Sequence, residues 1–171
     1  IARIRPFHWF FERLYKFVSY NRKQIIPSEK DLTEANCVPD FNLKYRVCYI
    51  AFVLLFSTFI LEFYNQRLFP FVKENFQLEI FICSMQIVWQ SVFMGFYLKE
   101  KFWDYLGNMM TVSLMGTLLL IPTLFFNFNE ILYFIYFGIV VFIMFLEHIR
   151  RCRILKIGFL PTISWMIFRI T

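Results

Sequence analysis

Charged residues are scarce in this sequence of 171 residues. Asp, Glu, Lys and Arg together make up 18% of the chain, while 59% of the residues are apolar and 22% are aromatic. Soluble domains have roughly 25% charged and 45–50% apolar residues. Because a soluble domain of this length needs a polar surface, the composition excludes one. The high apolar content excludes intrinsic disorder, and four cysteines are too few for a disulfide-dense secreted scaffold.

Residues that commonly carry catalysis or bind metals are also sparse. The only histidines are His8 and His148, and the four cysteines form no Cys-x-x-Cys pair. Zinc requires three or four clustered ligands, and bis-histidine haem ligation requires two facing histidines at membrane depth. The sequence offers neither pattern, nor a glycine-rich phosphate loop or a serine-nucleophile elbow. We therefore expect no catalytic, cofactor-binding or metal-binding residues in this chain. The cysteines are Cys37, Cys48, Cys83 and Cys152.

Long hydrophobic runs are what the chain does contain. A bilayer core of about 30 Å requires about 20 predominantly apolar residues in a helix, and a helix satisfies its own backbone where water is absent. The first run reaches this length when Arg46 and Glu62 extend their charges to the interface. We predict an all-α membrane protein with four transmembrane helices. The predicted spans are residues 45–64, 79–98, 106–128 and 130–149.

Positive charges are distributed unevenly around these predicted spans. Sixteen of the eighteen Lys and Arg residues lie before the first span, between the second and third, or after the fourth; Arg67 and Lys73 lie on the other side. Because cytoplasmic loops carry the excess of Lys and Arg, we expect a multi-pass protein of the inner (cytoplasmic) membrane with both termini in the cytoplasm. The flanking charges account for the net charge of +6, so we predict contact with the lipid bilayer and no nucleic-acid binding.

The segments outside the spans have a different character. Residues 1–44 are predicted to be cytoplasmic, with a basic amphipathic helix followed by a polar connector from residue 27. The helix is expected to lie in the membrane interface or, alternatively, to close a soluble domain that precedes it. Residues 150–171 are predicted to form a basic collar and an interfacial tail that is too short to cross. The predicted interfacial anchors are Phe7, Phe10, Phe11 and Leu14.

The stretch FERLYKFVSYNR, from Phe11 to Arg22, resembles the closing helix of the DCC family of thioredoxin-like thiol–disulfide oxidoreductases. Leu14, Tyr15, Asn21 and Arg22 carry the resemblance, since they match the Leu-Tyr…Asn-Arg pattern with which that family ends. The resemblance implies the end of such a domain followed by a membrane module. The family's Cys-x-x-Cys active site has no counterpart in this sequence, so its thiol chemistry falls on no residue of this chain.

Polar and small residues inside the predicted spans are the best pointers to function, because a polar group in lipid needs a partner. Helix packing is the favoured interpretation, with hydrogen bonds of about 1 kcal/mol or less each. The alternative is contact with a partner, a lipid headgroup or a quinone. The candidates are Gln86, Trp89, Gln90, Ser91 and Gly95 in the second span, and Ser113 and Thr117 in the third. Pro122 predicts a kink in the third span.

Two functional hypotheses follow from the sequence. The first is a small polytopic inner-membrane subunit or anchor module that supports a larger membrane assembly and contacts other membrane subunits, because 25 phenylalanines exceed what a thin four-helix bundle can bury. The second is the membrane half of a thiol–disulfide redox protein whose Cys-x-x-Cys domain lies upstream of Ile1. A self-sufficient transporter or channel is disfavoured, since no carboxylate lies at mid-membrane depth.

Overall fold

The computed structural model describes residues 5–27, 41–68 and 75–170, with side chains from residue 8 to residue 168. Its regular secondary structure is entirely helical within these ranges, which confirms the all-α class. The helices are α1 (Arg5–Ile25), α2 (Leu43–Arg67), α3 (Phe76–Leu98), α4 (Phe102–Leu120), α5 (Glu130–Ile154) and α6 (Leu160–Ile170). Cys37, most of the predicted polar connector and the side chain of the predicted anchor Phe7 lie outside this description.

Asparagine caps begin three of the long helices. The side-chain oxygen of Asn42 accepts from a backbone N–H at the start of α2, and Asn75 and Asn129 do the same for α3 and α5. Such a cap satisfies one of the backbone N–H groups that has no partner within the helix. Helices α2 and α3 therefore begin at Leu43 and Phe76, a little before the predicted spans, whereas α5 begins at Glu130 as predicted.

Helices α3 and α4 form an antiparallel hairpin. The Tyr105 hydroxyl of α4 donates to the side-chain oxygen of Gln90 on α3 at 3.0 Å, whereas a continuous helix would separate these residues by about 22 Å. A short 3₁₀ segment, Lys99–Lys101, makes the turn, and Lys99 adopts a positive φ of 43°. The chain therefore reverses direction within a few residues at a charged tip.

Three helical stretches are long and apolar enough to cross a membrane, namely Leu43–Arg67, Phe76–Phe125 and Glu130–Ile154. The second stretch comprises the α3–α4 hairpin and the 3₁₀ segment Ile121–Phe125 that follows it. These stretches show a helical multi-pass membrane protein. Pro122 lies at the point where α4 gives way to the 3₁₀ segment, so it ends the α-helix instead of kinking it, because its ring removes a backbone donor.

Helix α4 lies at the centre of the packing, in contact with α2 and α5, while α2 also packs against α3. The buried core around it consists of Tyr, Met, Leu, Val, Ile, Cys and Trp side chains and includes no phenylalanine among the described residues. Sixteen phenylalanines are instead exposed on the surface of the chain. They are Phe10, Phe11, Phe41, Phe52, Phe59, Phe63, Phe76, Phe81, Phe93, Phe96, Phe125, Phe126, Phe128, Phe134, Phe142 and Phe159.

Helix α6 packs against the sides of α3 and α5. The Trp89 indole of α3 donates to the Ser164 hydroxyl of α6 at 3.1 Å, and the Thr162 hydroxyl lies 3.0 Å from Nδ1 of His148 on α5. Trp89 lies about two and a half turns before the end of α3, and His148 about one and a half turns before the end of α5. The tail therefore returns alongside the long helices after Gly158, whose φ of +78° suits only glycine.

Candidate functional site

A cavity of about 50 Å³ lies between α2, α3, α4 and α5. Three of the predicted site residues, Gln86, Ser113 and Thr117, line it together with Ser57. The Thr117 hydroxyl contacts the Ser57 hydroxyl at 2.9 Å and donates to the backbone carbonyl of Ser113 at 2.8 Å. The amide nitrogen of Gln86 is buried and has no hydrogen-bond partner within the described residues. The cavity therefore has apolar walls with a small number of polar groups among them.

Sulfur-containing side chains form another part of this cavity wall. Met109, Met110, Met144 and Cys83 all line it. A Cβ atom on Gly116 would overlap Met144 and lie 2.8 Å from its Cγ, so a side chain at position 116 requires Met144 to move. Because methionine is flexible and polarisable, such a wall adapts to different contents.

Two further predicted residues, Trp89 and Gln90, connect α3 with other helices. Trp89 bonds to α6 through Ser164, and Gln90 accepts from Tyr105 of α4. Gln90 is fully buried, and its amide nitrogen has no hydrogen-bond partner in the described part of the chain. Both side chains therefore contribute to helix packing, as expected for polar groups inside a membrane bundle.

The remaining predicted residues, Ser91 and Gly95, make no comparable contact. Ser91 is half-buried, and a Cβ atom on Gly95 would meet only the Phe102 ring, at 4.0 Å. The close approach of helices occurs instead at Gly107 and Gly116 of α4. Sequence alone does not distinguish these glycines, since all lie in apolar helices.

His148 occupies a buried cluster at the junction of α4, α5 and α6. The imidazole is 1% exposed, stacks on the Trp165 ring with centroids 5.3 Å apart and meets the Tyr105 ring edge-on at 5.9 Å. Its Nδ1 lies 3.0 Å from the Thr162 hydroxyl and 3.6 Å from the Cys152 sulfur. His148 lies next to the end of the predicted fourth span, but α5 continues to Ile154, and the side chain is buried in the protein interior.

The guanidinium of Arg151 on α5 closes the C-terminal end of α1. It donates to the carbonyl oxygens of Gln24 and, at 3.3 Å, Ile25, and to the side-chain oxygen of Asn108 at 2.9 Å. Its Nε pairs with Glu147 at 2.8 Å. The last carbonyls of a helix have no partner within it, and the helix dipole favours a cation there. Arg151 is 5% exposed, so this contact fixes α1 to the other helices.

A second buried arginine, Arg46 of α2, reinforces the same junction. It donates to the Trp103 carbonyl oxygen at 3.4 Å and lies 3.7 Å from the Asp104 carboxylate, to which the Gln24 amide donates at 2.9 Å. A Cβ atom on Gly107 would overlap the Arg46 guanidinium and lie 2.6 Å from Cγ of Gln24. We call the buried side chains of Arg46, Arg151, Gln24 and Asn108, together with the half-exposed carboxylate of Asp104, the α1 clamp.

The N-terminal half of α1 is free of such packing. The predicted anchors Phe10, Phe11 and Leu14 are 55%, 58% and 43% exposed. On another side of the helix, the Lys16 ammonium donates to the Glu12 carboxylate at 2.6 Å. This hydrogen bond lowers the pKa of Glu12 and raises the pKa of Lys16. The helix thus combines a clamped end with an exposed aromatic end.

The described residues contain no group of three or more His, Cys, Asp or Glu side chains that could hold a metal ion. Cys48 is exposed on α2, Cys83 is half-buried and Cys152 is buried. Comparison with protein-family models, with curated proteins and with solved structures finds no match. The arrangement of this chain's own residues is therefore the basis for its functional interpretation.

Proposed function

We propose that this chain is a small polytopic membrane subunit, or anchor module, that packs against and supports a larger membrane assembly. The observation that carries the proposal is the segregation of phenylalanine, which is exposed at sixteen positions and absent from the described core. Aromatic side chains bury large areas and dominate the energetics of interfaces. Lipid tails cover part of such an exterior, and we propose that the aromatic rings on one of its faces pack against another membrane protein.

The α1 clamp supports an anchoring role in a second way. Arg151 donates to the last carbonyl oxygens of α1, and Arg46 lies beside the Asp104 carboxylate that accepts from Gln24 of α1. The aromatic N-terminal half of the helix extends from this junction with exposed side chains. An apolar face flanked by basic residues binds the membrane interface. We propose that this half of α1 lies in the headgroup region and fixes the orientation of any protein segment or subunit that is attached to it.

We further propose that the chain crosses an inner membrane four times, with both termini on the cytoplasmic side. The hairpin geometry of α3 and α4 supports two spans within the stretch Phe76–Phe125, since α3 alone is about 34 Å long. The charged tip Lys99–Lys101 then lies on the same side as the α1 clamp. The opposite side contains the connection around Asn127, between α4 and α5.

Thiol labelling of single-cysteine variants tests this topology. Starting from a variant with all four cysteines replaced by serine, we expect Glu100→Cys and Asn127→Cys to react with a membrane-impermeant maleimide from opposite faces of sealed vesicles. Lys156→Cys is the matched control and should label from the same face as Glu100→Cys. Labelling of Glu100→Cys and Asn127→Cys from the same face, or protection of Glu100→Cys from both, would contradict four spans.

Site-specific photo-crosslinking tests the association with a partner. A photoreactive phenylalanine analogue at Phe59, Phe96 or Phe142 samples the exposed faces of α2, α3 and α5 in the native membrane. On the helix face that contacts a partner, we expect a protein adduct whose mass is the same from neighbouring positions. On the remaining faces we expect lipid adducts. The matched control places the analogue at buried Tyr49. Lipid adducts alone at all three exposed positions would refute the subunit proposal.

A further inference from the structure

A cleft of about 380 Å³ lies where α5 ends and the chain turns toward α6. Two cationic side chains, Arg153 and Lys156, line it together with Ile149, Gly158 and Phe159. Both cations are exposed, and neither forms an ion pair within the described residues. We call these five residues the basic cleft. It thus combines two unpaired positive charges with apolar side chains.

The acidic residues around the basic cleft do not neutralise it. Glu147 of α5 already pairs with Arg150 at 2.6 Å and with Arg151 at 2.8 Å. Glu100 at the tip of the α3–α4 hairpin forms no ion pair in the described part of the chain, and the first turn of α6 contains no acidic residue. Two cations without a partner at the end of a membrane helix attract an anion from outside the chain.

Lys156 occupies a backbone position that usually belongs to glycine. Its N–H donates to the Arg153 carbonyl oxygen at 3.0 Å, and the next N–H donates to that of Cys152 at 3.2 Å. This is a Schellman motif, in which the residue after the helix has a positive φ, and the φ of Lys156 is 54°. The ammonium of Lys101 already caps the Leu155 carbonyl oxygen at 3.0 Å. A lysine at this position costs stability relative to glycine, so its charge needs a further explanation.

An exposed apolar strip leads from the basic cleft along α5. Phe142 and Leu146 are exposed and lie on the same face of the helix as Ile149 and Arg153, because these residues follow one another at intervals of three or four. Helix α5 has 25 residues and is about 37 Å long, which exceeds the bilayer core of about 30 Å. Its last turn therefore lies at the headgroup level, with the apolar strip among the lipid tails.

We propose that the basic cleft binds the headgroup of one anionic phospholipid of the phosphatidylglycerol type, with its acyl chains along the apolar strip. The planar guanidinium of Arg153 matches two phosphate oxygens, and the ammonium of Lys156 adds a second positive charge. A zwitterionic headgroup gains less, because its own ammonium is repelled by the two cations. The proposal requires α5 to span the bilayer, but it requires neither the partner subunit nor the sidedness proposed above.

Native mass spectrometry of the whole chain in detergent measures this binding. The added lipids are phosphatidylglycerol and phosphatidylcholine with identical oleoyl chains. We expect the first phosphatidylglycerol to bind roughly twentyfold more tightly than phosphatidylcholine, because each basic residue near an anionic lipid contributes about fivefold. An equal affinity for the two lipids would overturn the proposal. Displacement of phosphatidylglycerol by excess glycerol 3-phosphate would also overturn it, since the ligand would then be a soluble phosphate.

Three variants locate the bound lipid. Arg153→Gln and Lys156→Gly should each weaken the binding of phosphatidylglycerol by about fivefold and leave that of phosphatidylcholine unchanged. Lys156→Gly should also melt at an equal or higher temperature, because glycine suits the positive φ, so its weaker binding does not reflect misfolding. Arg150→Gln is the matched control: it removes the same charge from an arginine that pairs with Glu147 and should bind like the unmodified chain. Equal losses in Arg150→Gln and Arg153→Gln would show a general effect of charge and would overturn the site.

Photolabelling of the unmodified chain in nanodiscs provides a readout that does not depend on a variant. The probe is a phosphatidylglycerol with a diazirine in its headgroup. We expect adducts on the peptide that contains Arg153 and Phe159, and we expect excess unlabelled phosphatidylglycerol to suppress them. Adducts spread evenly over α1, the hairpin tip and the end of α5 would contradict a discrete site at the basic cleft.

Discussion

Replacement of Arg151 by methionine should release α1, whereas the same change at Arg150 should not. The two arginines are adjacent and both pair with Glu147. Their side chains differ in exposure, at 6% for Arg151 and 53% for Arg150. Since each variant leaves one arginine on Glu147, the comparison isolates the bonds that Arg151 makes to α1 and to Asn108. Methionine preserves the length and most of the volume of the side chain.

The expected magnitude follows from the bonds that are lost. Arg151 donates to the carbonyl oxygens of Gln24 and Ile25 and to the side-chain oxygen of Asn108. Hydrogen bonds of a charged group contribute roughly 1.5–3 kcal/mol each and are not additive, and Arg150 keeps Glu147 paired in the variant. We therefore expect Arg151→Met to destabilise the docking of α1 by about 3–5 kcal/mol, as for two or three lost hydrogen bonds of a charged group. A solvent-exposed pair contributes less than about 1 kcal/mol, so Arg150→Met should change little.

Hydrogen–deuterium exchange in nanodiscs measures this difference. A loss of about 3 kcal/mol or more raises the open population of the helix by at least about a hundredfold. The backbone amides in the last turns of α1 should therefore exchange much faster in Arg151→Met, while those in the middle of α5 should not. Arg151→Lys should fall between, because a single ammonium lacks the planar fork with which the guanidinium reaches four acceptors. Equal exchange of the α1 amides in Arg150→Met and Arg151→Met would refute the assignment of the clamp.

Two further predictions concern glycine positions and the aromatic end of α1. Gly116→Ala should reduce the free energy of unfolding by about 1–3 kcal/mol, because the new methyl group displaces Met144. Gly95→Ala should be neutral or stabilising, because only Phe102 is near. Thermal unfolding in detergent compares the two variants, and an equal loss of stability in both would contradict the close packing at Gly116. The double variant Phe10→Asp, Phe11→Asp should release the N-terminal half of α1 from lipid, measured by loss of quenching from brominated lipids to Trp9; unchanged quenching would show that this half packs on protein.

The lengths of the hydrophobic runs predict the all-helical class, whereas the asparagine caps that begin α2, α3 and α5 were not anticipated. The ends of the helices were less predictable, because Arg46 lies at a predicted span boundary where its charge was expected to reach the interface. The structure buries that guanidinium at the α1 clamp instead. The difference arises because α1 supplies a polar partner at this depth, and a hydropathy pattern does not show which distant segment will be the partner.

The candidate site was predictable only in part. Polar residues in apolar spans identified Gln86, Gln90 and Thr117, which are buried in the structure. The residues missed were those whose role depends on long-range contact, notably Gln24 and Arg151. Their sequence signal is limited to amides and arginines next to helix ends, a pattern that also fits topology signals. The pairing itself becomes apparent only from three-dimensional packing.

The contact between Arg151 and the end of α1 also has a consequence for biosynthesis. Gln24 and Arg151 are 127 positions apart, so α1 leaves the ribosome long before the group that caps it exists. Domains are made from the N-terminus onward at about 5–20 residues per second, which leaves the end of α1 without this cation for several seconds of translation. During that interval α1 is held by its aromatic face and by its contacts with α2, such as the bond from the Asn21 amide to the Tyr45 carbonyl oxygen. A chain truncated before Arg151 would keep the contacts of α1 with α2 and α4, but the last carbonyl oxygens of α1 would lack the guanidinium that caps them.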